Sequence, residues 1–106
     1  MTPAWLRPLA EADLISSTAH YRAAGGAQLA ARFFDAALAS IRSVERMPYL
    51  GSPHVGEVCD IPGLRACALK GFPFHWYYFV VNDRLDVVRL LADARDLFTI
   101  LGSENP

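Results

Sequence analysis

Residues 63–96 read GLRACALKGFPFHWYYFVVNDRLDVVRLLADARD, and this stretch decides the fold. It breaks into short apolar runs separated by tight connections, the pattern of an antiparallel meander. The first strand is expected over Leu64–Lys70, with Leu64, Ala66 and Ala68 on one face and Arg65, Cys67 and Leu69 on the other. Gly71 and Pro73 bracket the bend that follows. From Phe74 to Val81 both faces are apolar: Phe74, Trp76, Tyr78 and Val80 oppose His75, Tyr77, Phe79 and Val81. Such a strand is either central and covered on both sides, or keeps one face for a partner. Asn82 and Asp83 form the next turn. Strict alternation then places Leu85, Val87, Arg89 and Leu91 opposite Asp86, Val88 and Leu90. So much apolar sheet cannot stand alone in water, and the expectation is that another chain supplies part of its cover.

Upstream, Pro3 to Arg7 suits a short extended segment carrying Trp5, and Pro8 suits the start of a helix. Leu9 to Ala23 reads as that helix, with Glu11 and Asp13 at its positive end and Ala24, Gly25 and Gly26 closing it. Between Ala27 and Arg46 the apolar residues Ala30, Phe33, Phe34, Ala37, Leu38, Ile41 and Val44 recur every three or four positions, marking a second, amphipathic helix. The short connection makes the two an antiparallel hairpin able to lie on the sheet. Leu50 to Pro62, with Gly51, Pro53, Gly56 and Pro62, has no period and reads as an ordered loop. Ala92 to Leu101 reads as an irregular segment or short helix.

The chain has 106 residues, enough for a single domain over 1–106 with one modest core. A net charge of −1 with 53% hydrophobic residues excludes wholesale disorder and a generally basic nucleic-acid binder. Cys59 and Cys67, with His20, His54 and His75, have no metal-binding or redox spacing, so no metal or cofactor is expected. No secretion-type leader opens the sequence and no apolar run approaches the roughly 18 residues of a membrane span, which makes a cytoplasmic protein the expectation.

Arg65, Arg89 and Arg95 are the charges of interest, because Arg65 and Arg89 interrupt apolar strands and an unpaired buried guanidinium is costly. Each needs a carboxylate, a carbonyl or water. Arg95 with Asp93 or Asp96, and Arg89 with Asp60, are the intramolecular pairs to expect; the alternative is contact with an anion or a partner. RNA cleavage would need groups that activate a 2′-hydroxyl, stabilise the phosphorane and protonate the leaving oxygen. Arg65, His75 and Arg89, with Tyr77 or Tyr78, are the candidates for such a set, although alternation puts His75 with Tyr77 and away from Tyr78. No glycine-rich phosphate loop, nucleophile elbow or paired-carboxylate pattern is present.

Several short segments occur in a familiar order: Ala10-Glu11-Ala12-Asp13-Leu14, Ala31-Arg32-Phe33 with Ala37-Leu38, Pro48 with Leu50-Gly51, Gly63-Leu64-Arg65, Gly71-Phe72-Pro73-Phe74, and Val87-Val88-Arg89-Leu90-Leu91 running into Ala94-Arg95-Asp96. Together they cover nearly the whole chain. The sequence resembles the ParE branch of the RelE/ParE toxins of bacterial type II toxin–antitoxin modules, also described as plasmid stabilisation proteins. The resemblance implies an α+β fold in which an N-terminal strand and an antiparallel helical hairpin pack on a small curved antiparallel sheet. It also implies a ParD-like antitoxin as partner, DNA gyrase as target, no cofactor, no enzymatic activity and no sequence-specific DNA binding. Messenger-RNA cleavage, as in the RelE branch, and a non-toxic binding relative are the alternatives. Arg65, Tyr77, Arg89 and Arg95 are the expected partner-binding residues. Two positions depart from the family pattern: Ala92 stands where a histidine is frequent, and Phe98 stands where the RelE branch carries a tail tyrosine. Phenylalanine can neither donate a proton nor bond a phosphate oxygen.

Overall fold

The computed structural model describes residues 1–92. Its elements run β1 (Ala4–Leu6), α1 (Pro8–Arg46), α2 (His54–Val58), β2 (Arg65–Ala68), β3 (His75–Val81) and β4 (Arg84–Leu91). The strands form one sheet in the order β1-β4-β3-β2. The meander pairs antiparallel, while β1 joins β4 in parallel, so the sheet is mixed at that edge.

Helical hydrogen bonding runs from Pro8 to Arg46, interrupted only by Gly26, whose φ of 88° and ψ of 178° are open to glycine but not to a side chain. One such residue reverses the helix. A straight 39-residue helix would extend about 58 Å, yet the greatest dimension of the molecule is 38 Å. Tyr21 and Phe33 would lie about 18 Å apart along a straight axis; their rings are 4.8 Å apart. The arms 8–25 and 27–46 therefore form the expected hairpin. Pro8 occupies the first turn, where its missing N–H is not needed.

The apolar stripes of both arms meet one face of the sheet. Leu14, Phe33, Ala37, Ile41 and Val44 pack against Trp76, Tyr78, Leu85, Val87 and Leu90. The Trp76 indole N–H donates to the Ala37 carbonyl at 3.0 Å, tying the largest fully buried side chain to the second arm. Burial of a side chain this large contributes a few kcal/mol, roughly 25 cal/mol per Å² of apolar surface.

The opposite face is covered by the chain itself, which corrects the expectation of an external cover for most of it. Ile61 and Leu64 pack on Tyr77 and Val88, with Val55, Cys59 and Phe79 around them. Trp76, Tyr77 and Tyr78 are all buried, as befits a strand covered on both faces. The segment read as a loop thus contains α2 and forms the second layer.

A second correction concerns β4. Tyr77 pairs with Arg89 and Tyr78 with Val87, so Val88 is an extra residue on β4, a β-bulge. The bulge shifts the alternation by one. Leu85, Val87 and Leu90 face the helices, whereas Val88 and Leu91 join the opposite layer. At the β3–β4 turn, Asn82 and Asp83 adopt φ of 48° and 63°, the two positive values of a two-residue type I′ hairpin.

Candidate partner-binding site

The candidate residues divide between the faces and edges of the sheet. Arg65 pairs across strands with Tyr78, so both lie on the helix face. Their polar ends close on one loop. The Tyr78 hydroxyl donates to the Pro48 carbonyl at 2.8 Å and accepts the Gly51 N–H at 2.9 Å. Arg65 Nε donates to the Gly51 carbonyl at 2.9 Å and Nη2 to the Tyr49 carbonyl at 3.0 Å, with its guanidinium 5.1 Å from the centre of the Tyr49 ring. The two side chains satisfy four backbone groups of residues 48–51. Gly51 permits this closeness: a Cβ there would stand 2.5 Å from the Tyr78 hydroxyl and 2.9 Å from the Ala66 carbonyl. Burial pushes the Tyr78 phenol above its ordinary value, against the opposing pull of the Gly51 N–H and the Arg65 charge. The phenol is therefore protonated, as its donation to Pro48 requires.

The clamp holds Tyr49 and Leu50 outward. Met47, Tyr49 and Leu50 border one hollow, and all three, like Val58, are large apolar side chains left exposed. Beside it, on the face away from α1, lies a cleft of about 580 Å³ whose walls include Val55, Val58, Ala66, Ala68, His75 and Tyr77. The rings of His75 and Tyr77 are 6.1 Å apart. A second groove of about 480 Å³ lies on the α1 side of β2, between Ala36, Ala39 and Ser43 on the helix and Cys67, Ala68 and Lys70 on the strand side.

Arg89 lies elsewhere. Its guanidinium forms a two-pronged ion pair with Asp13 of α1, at 2.7 and 2.9 Å, with both side chains about 15% exposed. The pairing with Asp60 expected from the sequence is replaced by this contact 76 residues away. Asp13 also accepts the Leu90 N–H at 3.0 Å, capping β4 where β1 has turned away into the helix. Arg95, Asp93, Asp96 and Phe98 lie outside the described residues. Ala92 follows β4 directly and is exposed, next to Leu91, which pairs with His75.

The structure thus brings His75 and Tyr77 together, puts Arg65 on the other face, and carries the Arg89 charge to the β4 edge. The proposed RNA-cleaving trio does not converge among the described residues. Nor do the described residues contain a group of three or more His, Cys, Asp or Glu side chains able to hold a metal ion. Sequence reasoning misses Asp13 and Leu50 as site residues, naming them only as a helix-start carboxylate and as part of the family pattern, and misses Tyr49 altogether. Asp13 carries no local signal, but two large apolar residues between Pro48 and Gly51 could have marked an exposed, held loop.

An N-terminal strand, a helical hairpin and a small sheet with a meander are the architecture of the RelE/ParE-like toxins. Residues 6–97 match the family model described as the ParE toxin of the type II toxin–antitoxin system parDE. The chain belongs to the ParE toxin family, and is the toxin component of a ParDE-like module whose expected partner is a cognate antitoxin. Among solved structures it is similar to one titled "Chromosomal ParDE TA system from P. aeruginosa", with a TM-score of 0.72 and 21% identity over 85% of this chain and 94% of that one. At that identity the likeness is one of fold. No curated protein matches the chain. No helix among the described residues is long and apolar enough to cross a membrane.

Proposed function

We propose that this toxin acts by binding DNA gyrase and blocking its cycle, and that a ParD-like antitoxin neutralises it by covering its surface. The observation that carries this reading is the dispersal of the candidate acid–base groups. Arg65 is committed to the carbonyls of Tyr49 and Gly51, Arg89 to Asp13, and His75 stands on the face away from Arg65. General acid–base cleavage needs its groups within hydrogen-bond reach of one phosphate, whereas binding a protein needs only a shaped surface. The net charge of −1 also suits a protein target better than the phosphate-rich ribosome.

In this reading Tyr77 floors the cleft that a partner fills, Arg65 acts through the loop it holds, and Arg89 and Arg95 meet partner carboxylates. Supercoiling by purified gyrase is the test. Saturating toxin is expected to stop supercoiling and to accumulate cleaved DNA, and added antitoxin to reverse both. Undiminished supercoiling at saturating toxin overturns the gyrase assignment. Cut messenger RNA in a translating extract would move the protein to the RelE-branch reading.

A further inference from the structure

The two open clefts share a border, the outer edge of β2. Leu50, Cys67 and Ala68 line both. On this edge Ala66 exchanges backbone hydrogen bonds with Ser52, at 2.9 and 3.0 Å, in a single antiparallel bridge. Backbone groups two residues apart on a strand point the same way, so the Ala68 N–H also points outward, away from β3. The residue that would continue the bridge opposite Ala68 is Leu50, but its N–H turns back to the Met47 carbonyl. The Ala68 N–H is left facing solvent on an exposed residue, while its carbonyl takes the Ser40 hydroxyl at 3.2 Å.

Charge around this edge is mostly positive. Lys70 lines the groove, and Arg46 reaches Ser43 of the groove wall at 3.4 Å. Arg42 shares that helix face with Arg46, and Asp35 is the one carboxylate lining the groove. Lys70, Arg42 and Arg46 form no ion pair with any described residue.

We propose that an extended, acidic segment of the antitoxin adds to the sheet at this edge, pairing its backbone with Ala68. The inference rests on the antitoxin partnership described above and names where on the toxin it is made. An added strand turns alternate side chains to opposite faces. One set enters the apolar cleft over Tyr77; the other enters the α1-side groove, where carboxylates meet Lys70 and Arg46. The edge donor specifies an extended backbone, the clefts on both faces specify alternating side chains, and the unpaired cations specify their charge.

The test uses the full chain and the antitoxin encoded beside it as the probe. Amide exchange is measured on the free toxin and on the complex, and affinity is measured for Ala68→Pro and for the double reversal Lys70→Glu with Arg46→Glu. Proline removes the outward N–H without touching a β2–β3 bond, since Cys67 and Leu69 make those. The Ala68 amide is expected to exchange about a hundredfold more slowly in the complex. Ala68→Pro should weaken binding about tenfold, and the double reversal should weaken it most at low salt. If Ala68→Pro fails to fold, the exchange measurement on the unaltered chain decides. A complex that forms with Ala68 exchanging as fast as in the free toxin overturns the edge proposal and leaves the antitoxin partnership standing. If that antitoxin does not bind at all, both fall.

Discussion

The two outer edges of the sheet are finished in opposite ways. On the β1 side one residue near the end of α1, Glu45, receives two outward donors of the N-terminal segment: its carbonyl takes the Thr2 N–H at 2.9 Å and its Oε2 the Ala4 N–H at 2.8 Å. Where β1 stops, Asp13 takes over and caps the Leu90 N–H. On the β2 side a single bridge from Ser52 is followed by an unpaired Ala68 N–H. An exposed strand edge invites pairing with other chains, and folded proteins normally block it. In this molecule the helical hairpin supplies Glu45 and Asp13 to guard one edge, and the other is left short, flanked by clefts and rimmed with cations. The difference separates an edge that this chain closes from one that it leaves open.

The largest effect is expected on the guarded side. Asp13→Ala removes a carboxylate that accepts two bonds from Arg89 and one from Leu90. It leaves a mostly buried guanidinium without that counter-charge, a loss of about 3 kcal/mol. Urea denaturation should show a lower midpoint with an unchanged slope. A loss below about 1 kcal/mol would mean that Asp13 behaves as a surface carboxylate and that the guarded edge is held by something else.

Little of that asymmetry could be read from the chain. Local signals were strong where one residue type settles the backbone: Gly26 as the end of a helical run, Pro8 as a helix start, and Asn82-Asp83 as a two-residue turn. The alternation in β3 was legible too, because all of its side chains are large and apolar. The bulge at Val88 was not, since it exists only in the pairing of β4 with β3, and strict alternation misplaced every residue after it. The helix α2 was concealed by flanking Pro53 and internal Gly56, which are signals of a loop. Of the site residues, His75 and Tyr77 could be grouped by strand period alone. The partners of Arg65 and Arg89 could not, because carbonyls 14 and 16 residues away and a carboxylate 76 residues away leave no local trace.

Tyr78→Phe probes the open side with a smaller effect. It leaves the Gly51 N–H and the Pro48 carbonyl without the hydroxyl between them, a loss of about 2 kcal/mol. The phenol of the folded chain ionises above the ordinary value of 10.0. The stability it carries is therefore complete below about pH 10 and falls as pH rises through the unfolded value towards the folded one. Phenylalanine lacks this titration, so the gap between the two proteins should narrow above about pH 10. A constant gap across that range would show that the hydroxyl is not held in its protonated form. Because the same clamp presents Tyr49 and Leu50, antitoxin affinity should fall along with stability.

The smallest effect is expected at Glu45, and it sharpens the contrast most. A carboxylate near the C-terminal end of a helix opposes the helix dipole. Its bond to the Ala4 N–H offsets that cost, so Glu45→Ala should lose only about 1 kcal/mol. The backbone bonds of Thr2 to the Glu45 carbonyl, of Leu85 to Pro3 and of Arg7 to Val87 persist, keeping β1 in register. Amide exchange then distinguishes local from global loosening: Ala4 should lose protection beyond what the fall in stability explains, while Ala68, already facing solvent, should not change. Equal loss of protection at Ala4 and across β3 would mean that Glu45 supports the whole fold, and the division of the sheet into a guarded and an open edge would not hold.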